Sequence, residues 1–225
     1  MLFVSCGLGP LWISLSVMLW SGLLLLLLGV PIAWLLSLPA WRGQTLLEIL
    51  VTLPLVFPPI AIGFFLLLLL GRDGWFSQMV PDTWQIELIF TFEALLIAAV
   101  IAGLPLVVKP IQTAWQQETR HLVEAAYCLG KTPLQTFFHI TLPSILPALL
   151  AGLALGMGRG LGEVGMSLLL GGNLIGQTDT LSLAIYNSVL DGNFDCAMGY
   201  SVLLAAVAIT LFLVLRYLAR SPARS

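Results

Sequence analysis

A chain of 225 residues that is 59% hydrophobic and 9% charged, with a mean hydropathy of +1.03, is excluded from the soluble globular class, where about a quarter of residues carry charge. Its formal net charge of −2 leaves no basic footprint for nucleic acid. The three cysteines, Cys6, Cys128 and Cys196, have no metal-ligand or CxxC spacing, so no metal site and no cofactor is expected.

No basic segment precedes the first apolar run, which is therefore expected to remain as a membrane span rather than act as a cleaved signal. Apolar runs long enough to cross a bilayer as helix cover about residues 11–36, 46–70, 90–108, 145–170 and 198–218, an all-α polytopic bundle of about five spans in one domain. Arg42, Lys109, Arg120, Lys131, Arg216, Arg220 and Arg224 then fall on one side, and only Arg72 opposite. Asp73, Asp82, Glu87, Asp179, Asp191 and Asp195 lie on the other side. The basic bias predicts an inner-membrane protein, N-terminus outside and C-terminus cytoplasmic, with Ser5 and Gly192 outside and Arg120 and Ala223 inside. Cys6 and Cys196 share the outer side, and the expectation is that they are free.

The second span carries Pro54, Pro58 and Pro59 at mid-membrane depth. Each removes a backbone donor, so carbonyls are freed that must meet neighbouring helices, side chains or water. Such a kink either lines a cavity or packs wholly against protein. Between the third and fourth spans, residues 109–143 read as a cytoplasmic loop holding two short helices. Ala125 and Ala126 favour helix, Gly130 suits a left-handed C-terminal turn, and Thr132 can cap a second helix with Pro133 first and Gln135 at the capping-box position. Leu142-Pro143 is expected to close that helix and redirect the chain.

In the fourth span Arg159 and Glu163 stand four apart on one helical face, among Gly152, Gly156, Gly158, Gly160, Gly162 and Gly165. A charged pair in a membrane helix normally faces the bundle interior, where it either fixes packing or lines a route. Ser167, Asn173, Thr178 and Thr180 follow as neutral donors in and after this span, and residues 181–190 look helical. With no nucleophile beside Glu163 and Arg159, no catalytic residue is assigned, and the protein is not expected to be an enzyme. Gly130-Lys131-Thr132 imitates the end of a phosphate-binding loop, but Ala125 stands where that motif needs glycine, and no strand precedes it. His121 and His139, 18 residues apart, are expected at the membrane surface.

Glu124-Ala125-Ala126, then Gly130, then Ile140-x-Leu142-Pro143 resembles the loop of type I ABC-importer membrane subunits that docks on a separate ATPase subunit. The segments Gly158–Gly165, Leu170–Asn173 and Thr180–Tyr186, together with the proline-rich second span, resemble the molybdate and tungstate branch of that family, and the resemblance covers about residues 11–219. It implies the type I permease fold and an importer of molybdate or tungstate working by ATP-driven alternating access. Its partners would be a second copy of itself, two ATP-binding cassette subunits, an external substrate-binding protein and membrane lipid. It also implies that Glu124, Ala125, Ala126, Gly130, Ile140, Leu142 and Pro143 couple to the ATPase. The candidate pathway comprises Pro54, Pro58, Pro59, Arg159, Glu163, Ser167, Asn173, Thr178 and Thr180. A sulfate-type permease of the same family is the alternative. A self-sufficient carrier or channel fits less well, because no inverted repeat is visible.

Overall fold

The computed structural model describes residues 6–71, 74 and 88–220; Ser5, Arg72, Asp73, Asp82, Glu87, Ala223 and Arg224 of the orientation argument lie outside the described residues. Described residues form helices or turns, with no strand among them. Helix α1 (Gly9–Ser37) takes Pro10 in its first turn, where a missing N–H costs nothing, and stops at Leu38, which Pro39 drives into extended backbone. Helices α2 (Gln44–Val56) and α3 (Pro59–Leu70) follow, then α4 (Phe92–Ala114). A π-helical turn over Trp115–Thr119 leads to α5 (Arg120–Cys128). Short α6 (Pro133–Thr136) passes through a second π turn, Phe137–Thr141, into α7 (Leu142–Leu161). The chain ends with α8 (Gly165–Gly171), α9 (Leu181–Leu190) and α10 (Phe194–Arg220).

Among the described residues, four helical stretches are long and apolar enough to cross a membrane: Gly9–Ser37, Phe92–Gln117, Pro133–Leu161 and Phe194–Ala219. The expected second span is instead two shorter helices, α2 and α3, broken at Phe57-Pro58. Pro54 is absorbed inside α2, but the consecutive prolines are not. Pro58 forces Phe57 into extended backbone, and Pro59 starts the next helix at a position that needs no N–H. The fourth span is also corrected: α7 stops at Leu161, and α8 resumes at Gly165. Leu142-Pro143 does not close a helix. The π turn opens the hydrogen-bond ladder just where Pro143 could not have bonded the His139 carbonyl, so the chain runs on from α6 into α7 as one helical stretch.

At the centre α7 lies against α4, with α1 across both. Leu25 and Leu36 of α1, Val107 and Ile111 of α4, and Ile145 and Leu149 of α7 form one buried cluster. The α4–α7 seam is a contact between backbones. A Cβ on Gly103 would lie 2.6 Å from the Gly156 carbonyl oxygen, and one on Gly156 would lie 2.9 Å from the Gly103 oxygen. Gly152 and Gly160 extend the stripe, meeting Val107 Cα and Ala99 Cβ at 3.0 Å. In lipid, where apolar side chains gain little from leaving the solvent, such close approach is a main source of helix association.

The bundle has two distinct ends. At one, the Leu36 carbonyl accepts from the side chains of Gln44, Gln112 and Gln116, and Lys109 pairs with Glu48. At the other, Tyr200 donates to the Gly7 carbonyl, the Ser14 hydroxyl accepts from Leu181 N–H, and Phe90 N–H bonds the Leu170 carbonyl. Cys6 and Cys196, expected to be free, are joined here by a disulfide that ties the start of α1 to the start of α10. The two cysteines are 190 residues apart, and only the packing of α9 and α10 beside α1 brings them together.

Two neighbouring glycines separate close packing from mere composition. Gly156→Ala is expected to destabilise the detergent-solubilised subunit by about 1–3 kcal/mol through overpacking of the seam. Gly158→Ala, with nothing within 4 Å of the added carbon, is expected to be neutral or to stabilise by up to about 1 kcal/mol. Thermal unfolding of the two variants side by side checks this, and an equal effect would contradict the seam.

Candidate functional site

The loop between α4 and α7 presents the first candidate surface. Helix α5 ends in a Schellman motif: Gly130 N–H bonds the Tyr127 carbonyl at 3.0 Å and Lys131 N–H the Ala126 carbonyl at 3.1 Å. Gly130 has φ +77° and open space around it, so its conformation and not its size demands glycine. Thr132 then caps α6 through a full capping box, its Oγ1 accepting from Gln135 N–H while Thr132 N–H donates to Gln135 Oε1. Two turns meant to stop and restart a helix thus set the angle between α5 and α6.

Burial divides the residues of this loop. Ala126 is 2% exposed, which explains a small side chain there, and Thr136 is equally hidden. Glu124, Ala125, Gly130 and Pro143 are exposed, while Ile140 and Leu142 are half-buried. Leu122, Tyr127, Leu129, Leu134 and Phe138 are exposed apolar side chains of the same segment. So many exposed large apolar residues between two capped helices form a surface suited to another protein.

The second candidate lies where the two broken spans meet. Gly165, at the start of α8, is so close to α3 that an added Cβ would stand 3.1 Å from Ile60 N; Gly63 is likewise 3.0 Å from Met166 Cα. The contacts pair successive residues of α3 with successive residues of α8, so the half-helices run in parallel with their N-termini side by side. At the α7–α8 break, Glu163 N–H bonds the Gly160 carbonyl. Its carboxylate serves two groups: Oε2 accepts from Arg159 Nη1 at 2.7 Å, and Oε1 accepts from Met166 N–H at 3.0 Å. The Glu163 side chain is 1% exposed and that of Arg159 36%.

Of the neutral donors expected along a route, Asn173, Thr178 and Thr180 have hydrogen-bond partners within the chain. Ser167 is buried within α8. Thr178 is fully buried, donating to the Gly171 carbonyl and accepting from Leu174 N–H. Thr180 caps α9 by accepting from Leu183 N–H. Asn173, left-handed at φ 54°, exchanges two amide hydrogen bonds with Asn187. Asp179 accepts from Gly176 N–H in the same loop, and burial pushes its carboxyl above the ordinary carboxylate value against the pull of that N–H. These groups hold the 172–180 loop in one shape.

Sequence reasoning missed the polar clasp at the other end, where Glu48, Lys109, Gln44, Gln112 and Gln116 gather around Leu36. Its signal was present as glutamines at the edges of apolar runs. Lys109, Gln112 and Gln116, however, stand 61 to 80 residues from the partners they meet across the bundle, beyond the reach of any spacing rule.

Residues 12–221 match the family model described as binding-protein-dependent transport system inner membrane component. The chain is 36% identical to the molybdenum transport system permease protein ModB of Haemophilus influenzae, over 79% of this chain and 76% of that protein. It is 33% identical to ModB of Escherichia coli K12, over 92% and 91%. The sulfate transport system permease protein CysT of Salmonella typhimurium is also similar, 32% identical over 82% of this chain and 66% of its own length. Among solved structures, a bacterial alginate ABC transporter complexed with its alginate-pentasaccharide-bound periplasmic protein shares the fold, with a TM-score of 0.70 at 21% identity over 93% of this chain and 78% of that one. The family match spans nearly all the described helices, so the chain belongs to the binding-protein-dependent transport system inner membrane components.

Proposed function

We propose that this chain is the membrane subunit of an importer for molybdate or the near-identical tungstate, working as a dimer of two copies with two ATP-binding cassette subunits and an external binding protein. The observation that carries the substrate is the similarity to molybdenum transport permeases along more than nine-tenths of both chains. A sulfate-type oxyanion is the second reading, favoured by the similarity to CysT.

The exposed apolar surface of α5 and α6 supports docking of a separate ATPase there, with Glu124, Ala125, Ala126, Gly130, Ile140, Leu142 and Pro143 shaping the surface. Both ends of the loop root in the closely packed α4 and α7, through the two π turns. Movement imposed on the loop therefore reaches the centre of the bundle rather than its rim. ATP binding and hydrolysis on the partner would bias a two-state bundle by changing what the loop touches. The pathway reading centres on the paired breaks, Pro58, Pro59 and Arg159–Glu163. Discontinuous helices at membrane depth are tolerated where protein or a water-filled cavity meets their freed backbone.

Two features support an orientation with the N-terminus outside. A disulfide between the starts of α1 and α10 belongs to an oxidising compartment, which supports that end facing outside. Lys109, Lys131 and Arg216 cluster toward the opposite end, as the cytoplasmic basic bias requires. In intact cells, a cysteine introduced at Gly192 is expected to react with an impermeant maleimide, and native Cys128 only after the membrane is opened. Reaction of Cys128 alone would invert the topology.

Gly130→Val forces a β-branched residue into the left-handed region, a local penalty of about 1–2 kcal/mol, and is expected to weaken co-purification with the ATPase and lower uptake. Unchanged uptake would remove the turn from the coupling role. For the substrate, ATP hydrolysis by the reconstituted complex with its binding protein is expected to rise with molybdate or tungstate and not with sulfate or phosphate. Stimulation by sulfate alone would establish the second reading.

A further inference from the structure

The Arg159–Glu163 pair is lopsided. The anion lies behind, 1% exposed, and the cation lies in front, 36% exposed. Glu163 is also doubly held, by Arg159 at one oxygen and by the first turn of α8 at the other. A pair serving only to fix packing gains most when both charges are enclosed and fully bonded, because an open guanidinium adds little cohesion. Among the described residues, one of the five guanidinium donors is engaged, by Glu163. The Arg159 side chain is otherwise 36% exposed and stands in the last turn of α7, just before the break into α8, whose start packs on α3.

We propose that Glu163 is a positioning residue for anion passage. It fixes the direction of the Arg159 guanidinium and cancels its charge, so that the open donors can bond a passing tetrahedral oxyanion without holding it. The inference rests on the oxyanion reading above. A bare guanidinium in a low-dielectric bundle would attract a dianion strongly, and a site that binds tightly releases slowly. With a carboxylate 2.7 Å behind it, the same group keeps its hydrogen-bond geometry and loses most of its net field. Anchoring of Glu163 at the helix break adds a second consequence. Because Gly165 touches Ile60, any relative movement of α3 and α8 also moves the carboxylate that holds Arg159.

Glu163→Gln removes the charge and keeps the side-chain shape; its single amide oxygen can accept from Arg159 or from Met166 N–H, whereas the carboxylate serves each with a separate oxygen. The test uses the complete complex with its ATPase subunits. Molybdate binding is measured by equilibrium dialysis without binding protein, and uptake in proteoliposomes with it. The Glu163→Gln complex is expected to assemble, to bind molybdate at least about tenfold more tightly than the native complex, and to take it up about tenfold more slowly. Adding Arg159→Gln should abolish the tight binding, and Glu163→Asp should return affinity and uptake toward native values. A purely structural role would not move affinity and uptake in opposite directions. Native affinity in an assembled Glu163→Gln complex, while the native complex transports molybdate, overturns the proposal. Absence of molybdate uptake by the native complex overturns the oxyanion reading itself, and the proposal with it. Should Glu163→Gln not assemble, the uncharged Arg159→Gln, Glu163→Gln double variant decides. Assembly with uptake lowered about tenfold supports the proposal, whereas native uptake, or failure to assemble, assigns the pair to packing and overturns it.

Discussion

Where α4 and α7 cross, the Gly103 and Gly156 backbones face one another with no side chain between, and the rest of the bundle takes its geometry from that seam. Helices this close exchange dispersion contacts along their main chains, which is what remains available for cohesion when lipid replaces water as the solvent. Helix α1 then lays Gly22 on Met157 and Gly29 on Val107, closing a three-helix core. Helix α10 stands outside this core, packed on α9 and α7, and the Cys6–Cys196 disulfide fastens its start to α1. The two helices of the seam are also those that lead into and out of the loop of residues 115–141.

Backbone satisfaction explains the remaining placements. A break in a membrane helix leaves donors and acceptors that hydrocarbon cannot meet. The two breaks adjoin, and Glu163 supplies an acceptor to the first turn of α8. At the disulfide-bearing end the Thr178 hydroxyl bonds both the Gly171 carbonyl and Leu174 N–H, and the Ser182 hydroxyl bonds the Leu161 carbonyl left over at the end of α7. At the opposite end three glutamines converge on the Leu36 carbonyl. Each of these polar groups has a partner within the chain, and Arg159 differs from them in that its guanidinium is only partly used.

Much of this protein was legible in its sequence because the controlling physics is local. Composition and run length place the chain in a membrane, since about twenty apolar residues suffice to span one as helix. The Gly130 turn and the Thr132 capping box are decided within six residues, and both form as their spacing predicts. The helix over Leu181–Leu190 and the salt-bridged Arg159 and Glu163 follow in the same way, from helical periodicity. Chain-specific motifs in the loop and in the fourth span were enough to indicate the family.

Tertiary structure alone decided what depends on distant partners. Whether prolines kink a helix or break it depends on what packs against the freed backbone, and here the start of α8 lies against the start of α3. The partners that Thr178, Thr180 and Asn173 take, Gly171, Leu183 and Asn187, are read only from the structure. Cys6 and Cys196 share one side of the membrane in any sequence reading, yet only the docking of α10 near α1 brings their sulfurs into bonding distance. Periodicity assigns a residue to a face of its own helix, but the partner of that face is set by packing across tens or hundreds of residues, and no local pattern encodes it.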